Sequence, residues 1–379
     1  MVKNYESIEP NSMAKFLYAT YRILWENTAT SNLIKELKGI NKNFLNDVRS
    51  FSWKKNLENK DESEKFSICN AVPSFMVNHL NNFMDFEFMA ENISAMNGLI
   101  GNTDVSIRIN NLIGDFTKED LYLKIKESLE QSNIDFYQDQ HLPELINVHL
   151  NSKNNILNNY WYKRGYLIFQ NKASAAVVQT LSPKKTDLIF DMCAAPGIKT
   201  SQIAQYMENE GHLIAGEFLG SRMEMLEKIL RDLNVLNCFL INIDSIDPPF
   251  RFENQFDRIL LDAPCTGSGT FLKSPELKWR QSENFLHQNT VLQKKLLKSA
   301  IKLLKPDGIL VYSTCSLYPE EGEFQILDNL DKLQPLPLPS WFSPSYEIED
   351  SILPGTGRLF PSTHQTQGFF IGKFKKKQQ

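Results

Sequence analysis

Two of the five cysteines stand in short motifs that suit a reactive thiol. Cys265 lies in Asp-Ala-Pro-Cys-Thr-Gly and Cys315 in Tyr-Ser-Thr-Cys-Ser, and each motif follows an apolar segment. A cysteine thiolate is an effective nucleophile, so these positions suit covalent catalysis. Most free cysteines are small buried hydrophobic residues. That is our interpretation of Cys69 and Cys238, and the one we favour for Cys193.

The elements that must position these cysteines begin near residue 180, where strand-like and helix-like segments alternate. This alternation predicts an α/β fold with a parallel sheet and helices on both faces. Right-handed crossovers then bring the carboxyl ends of the strands to one edge, where ligands bind. The predicted strands are 188–192, 213–218, 238–243, 258–262, 309–314 and 369–374, and the helices are 199–207, 222–233 and 286–304.

Acidic residues end the first three of these strands: Asp191, Glu217 and Asp244. An acid at the end of the second strand, about 20 residues beyond a glycine-containing turn, can accept hydrogen bonds from ribose hydroxyls. Glu217 has that place, and Asp244 could accept from an adenine amino group. The turn from Asp191 to Thr200 has one glycine, Gly197, so it is a weak candidate for phosphate binding. Together the acids predict an adenosine-type pocket.

Composition limits the class of protein. The chain has 379 residues, 42% hydrophobic and 23% charged, which predicts about two to three globular domains. Its longest apolar runs are too short to span a membrane. Five cysteines without a CxxC pair indicate a reducing compartment, and they argue against a disulfide framework and a zinc site. The net charge of -4 means that a nucleic acid would have to bind local basic patches.

The chain before the α/β region divides into two further parts. We predict a helical N-terminal domain at 1–100, a small α+β (RRM-like) subdomain at 101–178, and the catalytic domain at 179–379. Helices are expected near 13–24, 32–48, 73–96 and 117–131, strands at 105–109, 147–150 and 166–169, and a loop or linker at 54–65.

Four segments carry a family resemblance: DMCAAPGIKTS, FDRILLDAPCTGSGT, LVYSTCSLYPEEGE and GRLFPSTHQTQGFF. They resemble the successive motifs of the Sun/Nop family of RNA (cytosine-C5) methyltransferases, over about residues 106–374. Residues 73–80 and 106–110 resemble the small-subunit rRNA methyltransferase B branch. The resemblance implies a Rossmann-like class I fold, S-adenosyl-L-methionine as methyl donor, and a flipped cytosine in RNA as acceptor.

The resemblance also implies roles for single residues. The Thr-Cys motif makes Cys315 the nucleophile that adds to cytosine carbon-6, and Cys265 assists release of the product. Asp262 could donate to cytosine N3 if protonated, and Lys199 would help order the site; a plain surface lysine is the alternative. The expected donor-binding residues are Cys193, Ala194, Ala195, Pro196, Gly197, Ile198, Lys199, Glu217, Arg222, Asp244 and Asp262.

Three positions depart from the family pattern. Ile198 stands where a second glycine is usual, Glu217 where aspartate is common, and Gly322 where asparagine is usual. None of these differences removes a group that the reaction needs, although the backbone at Ile198 could lie differently against the donor.

Contacts to RNA are expected from local basic residues. Lys273, Lys278 and Arg280 flank Trp279, which could contact a strand or simply pack; Arg108 and Lys124–Lys126 could hold phosphates. Accessible cytosines occur in single-stranded or looped RNA. We expect an rRNA more than a tRNA, and a cytoplasmic enzyme. The alternatives are a DNA cytosine methyltransferase and a non-enzymatic RNA-binding or ribosome-assembly factor.

Overall fold

The computed structural model describes residues 10–98, 104–114, 116–251 and 253–378. The chain forms two compact units, residues 1–65 and 66–379. The predicted boundary between residues 100 and 101 lies outside the described residues, and the division into three domains at 100 and 178 stays a prediction. Within the described ranges, no helix has the length and apolar character needed to cross a bilayer.

The first unit is helical. Its small core is formed by Ala19, Ile23, Leu33, Leu45 and Val48. The helices are α1 (Pro10–Leu24), α2 (Thr30–Glu36), α3 (Lys42–Arg49), α4 (Trp53–Leu57) and the first residues of α5 (Glu62–Asn70).

Two expectations for this unit were wrong. The single helix expected at 32–48 is two helices, because the chain turns at Gly39 with φ of +83° and Asn41 then caps α3 by accepting from the Asn43 and Phe44 amides. The loop expected at 54–65 is largely helical. Ser52 caps α4 by accepting from the Lys55 amide, so a local cap starts a helix that charge composition alone did not indicate.

The second unit begins with helices that pack on its later loops. The helix expected at 73–96 is interrupted and forms α6 (Ser74–Leu80) and α7 (Phe86–Met96). Residues 81–85 between them turn the chain, so the apolar sides of both helices enter one core with Phe271, Leu317 and Tyr318. This core lies directly behind the loops that carry the cysteine motifs.

A four-stranded antiparallel sheet follows, in the order β2-β3-β1-β4. Its helix α8 (Lys118–Gln131) is capped by Thr117, which accepts from the Asp120 amide. The strands are β1 (Asp104–Ile109), β2 (Phe136–Gln138), β3 (Leu145–His149) and β4 (Leu167–Phe169), with the short helices α9 (Lys153–Asn158) and α10 (Tyr160–Lys163).

The large sheet confirms the predicted α/β region, with strand and helix ends mostly within one to three residues of expectation. Its strands are β5 (Leu188–Asp191), β6 (His212–Glu217), β7 (Cys238–Asn242), β8 (Phe256–Asp262), β9 (Leu304–Thr314), β10 (Leu333–Pro335), β11 (Ser343–Pro344), β14 (Thr356–Leu359) and β15 (Phe369–Lys376), and β12 (Glu347–Ile348) pairs separately with β13 (Ser351–Ile352). Its helices are α11 (Lys172–Leu181), α12 (Ile198–Met207), α13 (Gly220–Asp232), α14 (Glu283–Leu303), α15 (Glu323–Leu327) and α16 (Pro361–His364).

The strand order fixes where a ligand can bind. Strands β7, β6, β5, β8 and β9 are parallel neighbours in that order, and β15 joins β9 antiparallel. The chain runs outward from β5 to β7 and returns to β8, so the order reverses between β5 and β8. In open α/β sheets the crevice at such a reversal, beyond the carboxyl ends of the strands, is the usual ligand site.

The two faces of this sheet are buried by different helices. Alternate strand residues such as Ile189 and Leu260 pack under α11 and α12, whereas Phe190, Ile259 and Leu261 pack under α14. Since both faces are covered, the free carboxyl edge is left for the loops that follow β5, β6, β7, β8 and β9.

Candidate active site

The turn after β5 is held closely against its neighbours. The Ala194 amide donates to the Gly216 carbonyl at 2.9 Å, and Gly197, with φ of +108°, directly precedes α12. A Cβ atom at Gly197 would lie 2.8 Å from Cδ1 of Leu226. The position therefore demands glycine twice, for its backbone conformation and for the approach of α13. Ile198, at the next position, is the first residue of α12.

Asp191 braces this turn from inside. Its carboxylate is buried and accepts from the Thr200 hydroxyl at 2.7 Å. Burial raises the pKa of Asp191 from 3.8 to about 7, against the lowering effect of that hydrogen bond. Of the three acids at the strand ends, Asp191 thus supports the turn and does not face the crevice.

The Cys193 thiol is also a supporting group. It packs against the core under α14, and burial, with Asp191 nearby, raises its pKa well above the ordinary value. The preferred interpretation of Cys193 as a packing residue agrees with this environment, because a thiol with a raised pKa is a poor nucleophile.

Glu217 and Arg222 join the second strand end to the first turn. One Glu217 oxygen accepts from the Leu219 amide at 2.9 Å, and the other lies 3.4 Å from Nη1 of Arg222. Nη2 of the same arginine donates to the Ala195 carbonyl at 2.5 Å. Arg222 therefore orients the acid and fixes the distance between the two strand ends.

Asp244 is exposed at the end of the third strand. One of its oxygens accepts from the Ile246 amide at 2.9 Å, and the neighbouring Ser245 hydroxyl donates to the Met192 carbonyl at 2.7 Å. The loop after β7 is thus tied to the loop after β5. The Asp244 carboxylate remains accessible at the same edge of the sheet as Glu217.

Across the reversal point, Asp262 at the end of β8 accepts two hydrogen bonds. Nζ of Lys199 donates to Oδ2 at 2.7 Å, and the Ser313 hydroxyl donates to Oδ1 at 2.7 Å. The ammonium also lies 5.5 Å from the centre of the Phe369 ring. Lys199 therefore joins the first turn to the fourth strand end, and the alternative of a free surface lysine is wrong.

The two motif cysteines meet beside this ion pair. Cys265 follows β8, Cys315 follows the neighbouring parallel strand β9, and their sulfurs are 3.2 Å apart. Both thiols are free and partly buried. The hydrogen bond with Cys315, followed by burial, raises the pKa of Cys265 well above its ordinary value. The Cys265 thiol therefore retains its proton and can donate a hydrogen bond to the Cys315 sulfur.

Behind the sulfurs lies a polar cluster that our sequence analysis did not assign to the site: Thr266, Gln293 and Glu321. Glu321 is fully buried and accepts from the Thr266 amide at 2.9 Å and from Gln293 at 2.9 Å. The sequence did contain one signal of this cluster. Gln293 is a polar residue on the side of α14 that is otherwise apolar and buried.

The candidate RNA-contacting residues behave differently from one another. Trp279 is 80% exposed, so the packing alternative is wrong, and Arg280 lies over the Phe285 ring at 4.8 Å. Lys278 is occupied, because it donates to the Asn70 carbonyl at 3.1 Å.

Arg108 is not accessible to a phosphate at the protein surface. It is fully buried, where it donates to Gln205 at 2.8 Å and Ser201 at 2.6 Å, and burial lowers its pKa to about 9. Arg108 therefore links β1 to α12. The expectation that Arg108 contacts phosphates was wrong.

Known proteins resemble this chain over the region just described. Residues 178–375 match the family described as 16S rRNA methyltransferase RsmB/F. A probable ribosomal RNA small subunit methyltransferase B from Synechocystis sp. is 36% identical over 219 residues, which are 57% of this chain and 49% of that protein. A tRNA (cytosine(49)-C(5))-methyltransferase from Pyrococcus abyssi is 36% identical over 230 residues, 57% of this chain and 72% of that protein.

Structural similarity extends further along the chain. The crystal structure of PH0851 superposes with a TM-score of 0.80 at 26% identity, and the match covers 97% of this chain and 83% of that one. The chain spans about half, 49%, of the length of the Synechocystis relative. The family match includes every strand-end residue of the candidate site, from Asp191 to Cys315. The resemblance inferred from the four motifs is thereby confirmed, and the chain belongs to the 16S rRNA methyltransferase RsmB/F family.

Proposed function

We propose that this protein methylates carbon-5 of a cytosine in RNA, with S-adenosyl-L-methionine as the methyl donor. The observation that carries the proposal is the contact of the Cys265 and Cys315 sulfurs, 3.2 Å apart, next to the Lys199–Asp262 ion pair. A nucleophile, a second thiol and a proton-carrying pair then surround one small region at the edge where ligands bind.

The residues at the first three strand ends fit the donor. Gly197 lets the first turn pack closely on α13, the largely buried Glu217 carboxylate suits ribose hydroxyls, and the exposed Asp244 suits the adenine amino group. Residues 193–199 would line the methionine portion together with Asp262. When bound, the donor supplies an electrophilic methyl group to carbon-5.

Cys315 would act as the nucleophile. As a thiolate it forms a bond from Sγ to carbon-6, and the ring electrons move through carbon-5 and carbon-4 onto N3, which takes up a proton. Carbon-5 thereby gains the electron density that methylation requires. The Lys199–Asp262 pair can supply the proton for N3, from the ammonium through the carboxylate, 2.7 Å apart. In this route the proton comes from Lys199 through Asp262, whereas our sequence analysis expected it from a protonated Asp262 alone.

Cys265 would assist release. The carbon-5 proton leaves to the Cys265 sulfur, present as a thiolate at this stage, and the carbon–hydrogen electrons restore the double bond between carbon-5 and carbon-6. The bond from carbon-6 to Cys315 breaks with its electrons returning to sulfur, and N3 gives its proton back to the Lys199–Asp262 pair. The hydrogen bond with Cys315 is the largest cause of the raised pKa of Cys265. That hydrogen bond is lost once Cys315 is bonded to the base, so Cys265 then gives its thiol proton to solvent water before it takes the proton from carbon-5.

The substrate is proposed to be a single-stranded or looped cytosine, with rRNA favoured over tRNA because the matching family is described by an rRNA activity. An exposed Trp279 beside Arg280 follows the Cys265 turn and offers a surface for base stacking. Its 3-10 helix, Pro275–Arg280, is anchored by Gln281, which donates to the Thr266 carbonyl at 3.1 Å. Free cysteines suit the reducing conditions of the cytoplasm.

The test measures methyl transfer by the wild type and by cysteine variants, with RNA and with DNA as substrates in parallel assays. We expect methyl transfer to RNA by the wild type, none by Cys315→Ala, and a covalent protein–RNA band that survives denaturant with Cys265→Ala. Cys69→Ser is the control and should behave as wild type, because Cys69 is exposed and not the buried residue that we expected from the sequence. RNA binding without any methyl transfer would instead support an assembly factor, and transfer to DNA alone would support the DNA enzyme.

A further inference from the structure

A buried carboxylate holds the Cys265 turn from behind. Oε1 of Glu321 accepts from the Thr266 amide at 2.9 Å, and Oε2 accepts from the Thr266 hydroxyl at 2.5 Å. Glu321 is 0% exposed and Thr266 1% exposed. Two hydrogen bonds to one residue fix both position and orientation, so the residue next to Cys265 has little freedom to move.

Gln293 extends this support to the other side of Cys265. Its side-chain amide donates to Glu321 at 2.9 Å and to the Pro264 carbonyl at 2.8 Å. The residues before and after Cys265 are therefore held by one connected pair. Gln293 belongs to α14, which packs on the sheet, so the turn is fixed relative to the main core.

The same glutamate also reaches the strand that carries Cys315. Its backbone carbonyl accepts from the Tyr312 hydroxyl at 2.8 Å and from the Thr314 hydroxyl at 3.1 Å. Both donors are 0% exposed. One residue thus contacts the turn of the first sulfur through its side chain and the strand end of the second sulfur through its backbone.

We infer that Glu321 is a positioning residue, which sets the separation of the two sulfurs and aims Cys265 at the product during release. The inference rests on the proposed function and adds a residue to it. Addition of Cys315 to the base needs one sulfur in place. Release needs both, because the carbon-5 proton must move to Cys265 while the carbon-6 to sulfur bond breaks. Loosening the Cys265 turn therefore slows release more than addition.

The charge of Glu321 gives a second, independent consequence. The negative charge of Glu321, like the contact with Cys315, raises the pKa of Cys265 in the protein without substrate. Burial in turn raises the pKa of Glu321, and its hydrogen bonds with Ser316 and Thr266 oppose that effect. Replacing the carboxylate by an amide of the same shape separates the two roles, since hydrogen bonds to Thr266 and Gln293 can remain while the charge is lost.

The experiment measures single-turnover adduct formation and release with full-length protein and an RNA substrate. Glu321→Ala should lower the ratio of release rate to addition rate by about tenfold or more, while Glu321→Gln restores most of that ratio. Glu320→Ala is the matched control, because the adjacent carboxylate faces His79 at 2.8 Å and not the sulfurs. An equal loss of both rates, or an unchanged ratio, overturns the inference.

Two further measurements keep the test decisive. If Glu321→Ala does not fold, Thr266→Val, which deletes the hydroxyl that bonds to Glu321 and to Ser316, must lower the same ratio several-fold, and an unchanged ratio overturns the inference. Without RNA or donor, alkylation of Cys265 should become faster in Glu321→Gln at a given pH, and a wild-type alkylation profile contradicts the charge effect. Absence of methyl transfer by the wild type instead contradicts the proposed function itself.

Discussion

Asp191 is a carboxyl group that the fold buries at the end of β5. Its pKa rises from 3.8 to about 7 through burial. Between these values the folded protein holds a proton that the unfolded chain has lost, so this group makes the free energy of unfolding fall as pH rises. Asp191→Asn should remove that contribution. The unfolding free energy of wild type relative to the variant should fall between pH 5 and pH 7, by at most about 1.4 kcal/mol per pH unit, and level off above pH 7.

Urea unfolding at four pH values between 5 and 8 measures this difference. The comparison isolates Asp191 because the other groups that titrate in this range, such as His79 with its raised pKa beside Glu320, are the same in both proteins. The Thr200 hydroxyl can still donate to the asparagine carbonyl, so the turn is preserved. Parallel stability curves for the two proteins would show that Asp191 is ionised in the folded state at neutral pH.

At the residue scale, the sequence predicts the reactive groups better than their supports. Cys265, Cys315 and Asp262 follow strands whose neighbours are set by crossover rules, and the structure brings them together. The supports Thr266, Gln293 and Glu321 come from three separate segments, and their contacts depend on how α14 and the loop after β9 pack. A single sequence carries no local pattern for such a contact. Buried Arg108 was misassigned for the same reason.

At the element scale, an antiparallel strand supports the segment after Cys315. Arg358 of β14 is fully buried, forms two hydrogen bonds with Glu323 at 2.6 and 2.7 Å, and donates to the Ser316 carbonyl at 3.0 Å. The guanidinium also lies 3.9 Å from the centre of the Tyr346 ring. One strand therefore fixes both the helix α15 and the chain immediately beyond Cys315.

Arg358→Met should destabilise the protein by about 3–5 kcal/mol, because it leaves the Glu323 carboxylate buried without its partner. Lys294→Met is the matched control. It breaks the Lys294–Asp328 pair, whose side chains are 65% and 52% exposed, and should cost less than about 1 kcal/mol. Chemical denaturation of both variants measures the difference. Equal losses would show that the buried pair adds nothing beyond a surface pair.

The elements that sequence patterns predicted best are those whose apolar residues are consecutive. The parallel strands β5 to β8 end within one residue of expectation. Most residues of β5, β6 and β8 are buried, whereas β7 is partly exposed and was predicted from its apolar run alone. The short strands β10, β11 and β14 were not predicted, because two to four residues acquire strand geometry only from their partners. The break at Gly39 and the cap at Ser52 were local signals present in the sequence, but the helical periodicity and the charge composition outweighed them.

At the scale of the whole molecule, the net charge limits how the proposed RNA substrate can bind. The net charge of -4 gives no general attraction for RNA, so under the proposed function binding would come from local contacts. Trp279 and Arg280 lie on the segment that follows the Cys265 turn, and Gln281 ties that segment to Thr266. Under the proposed function, a base stacked there would be held in a fixed relation to the sulfurs, as a flipped cytosine requires.

The division into two units predicts which part of the chain the chemistry needs. All residues of the candidate site, with the Glu321 support, lie in the unit of residues 66–379. Removal of residues 1–60 keeps α5 whole, together with Asp61, which accepts from the Glu64 amide at 2.7 Å. The shortened chain should therefore bind S-adenosyl-L-methionine with the affinity of the full-length protein, as measured by calorimetry. Deletion of residues 368–379 is the contrasting control, because it removes β15 from between β9 and β14 and takes Phe370 and Phe374 out of the core. That variant should fail to fold. Loss of donor affinity in the first truncation would mean that residues 1–60 support the site, contrary to the contacts within the second unit.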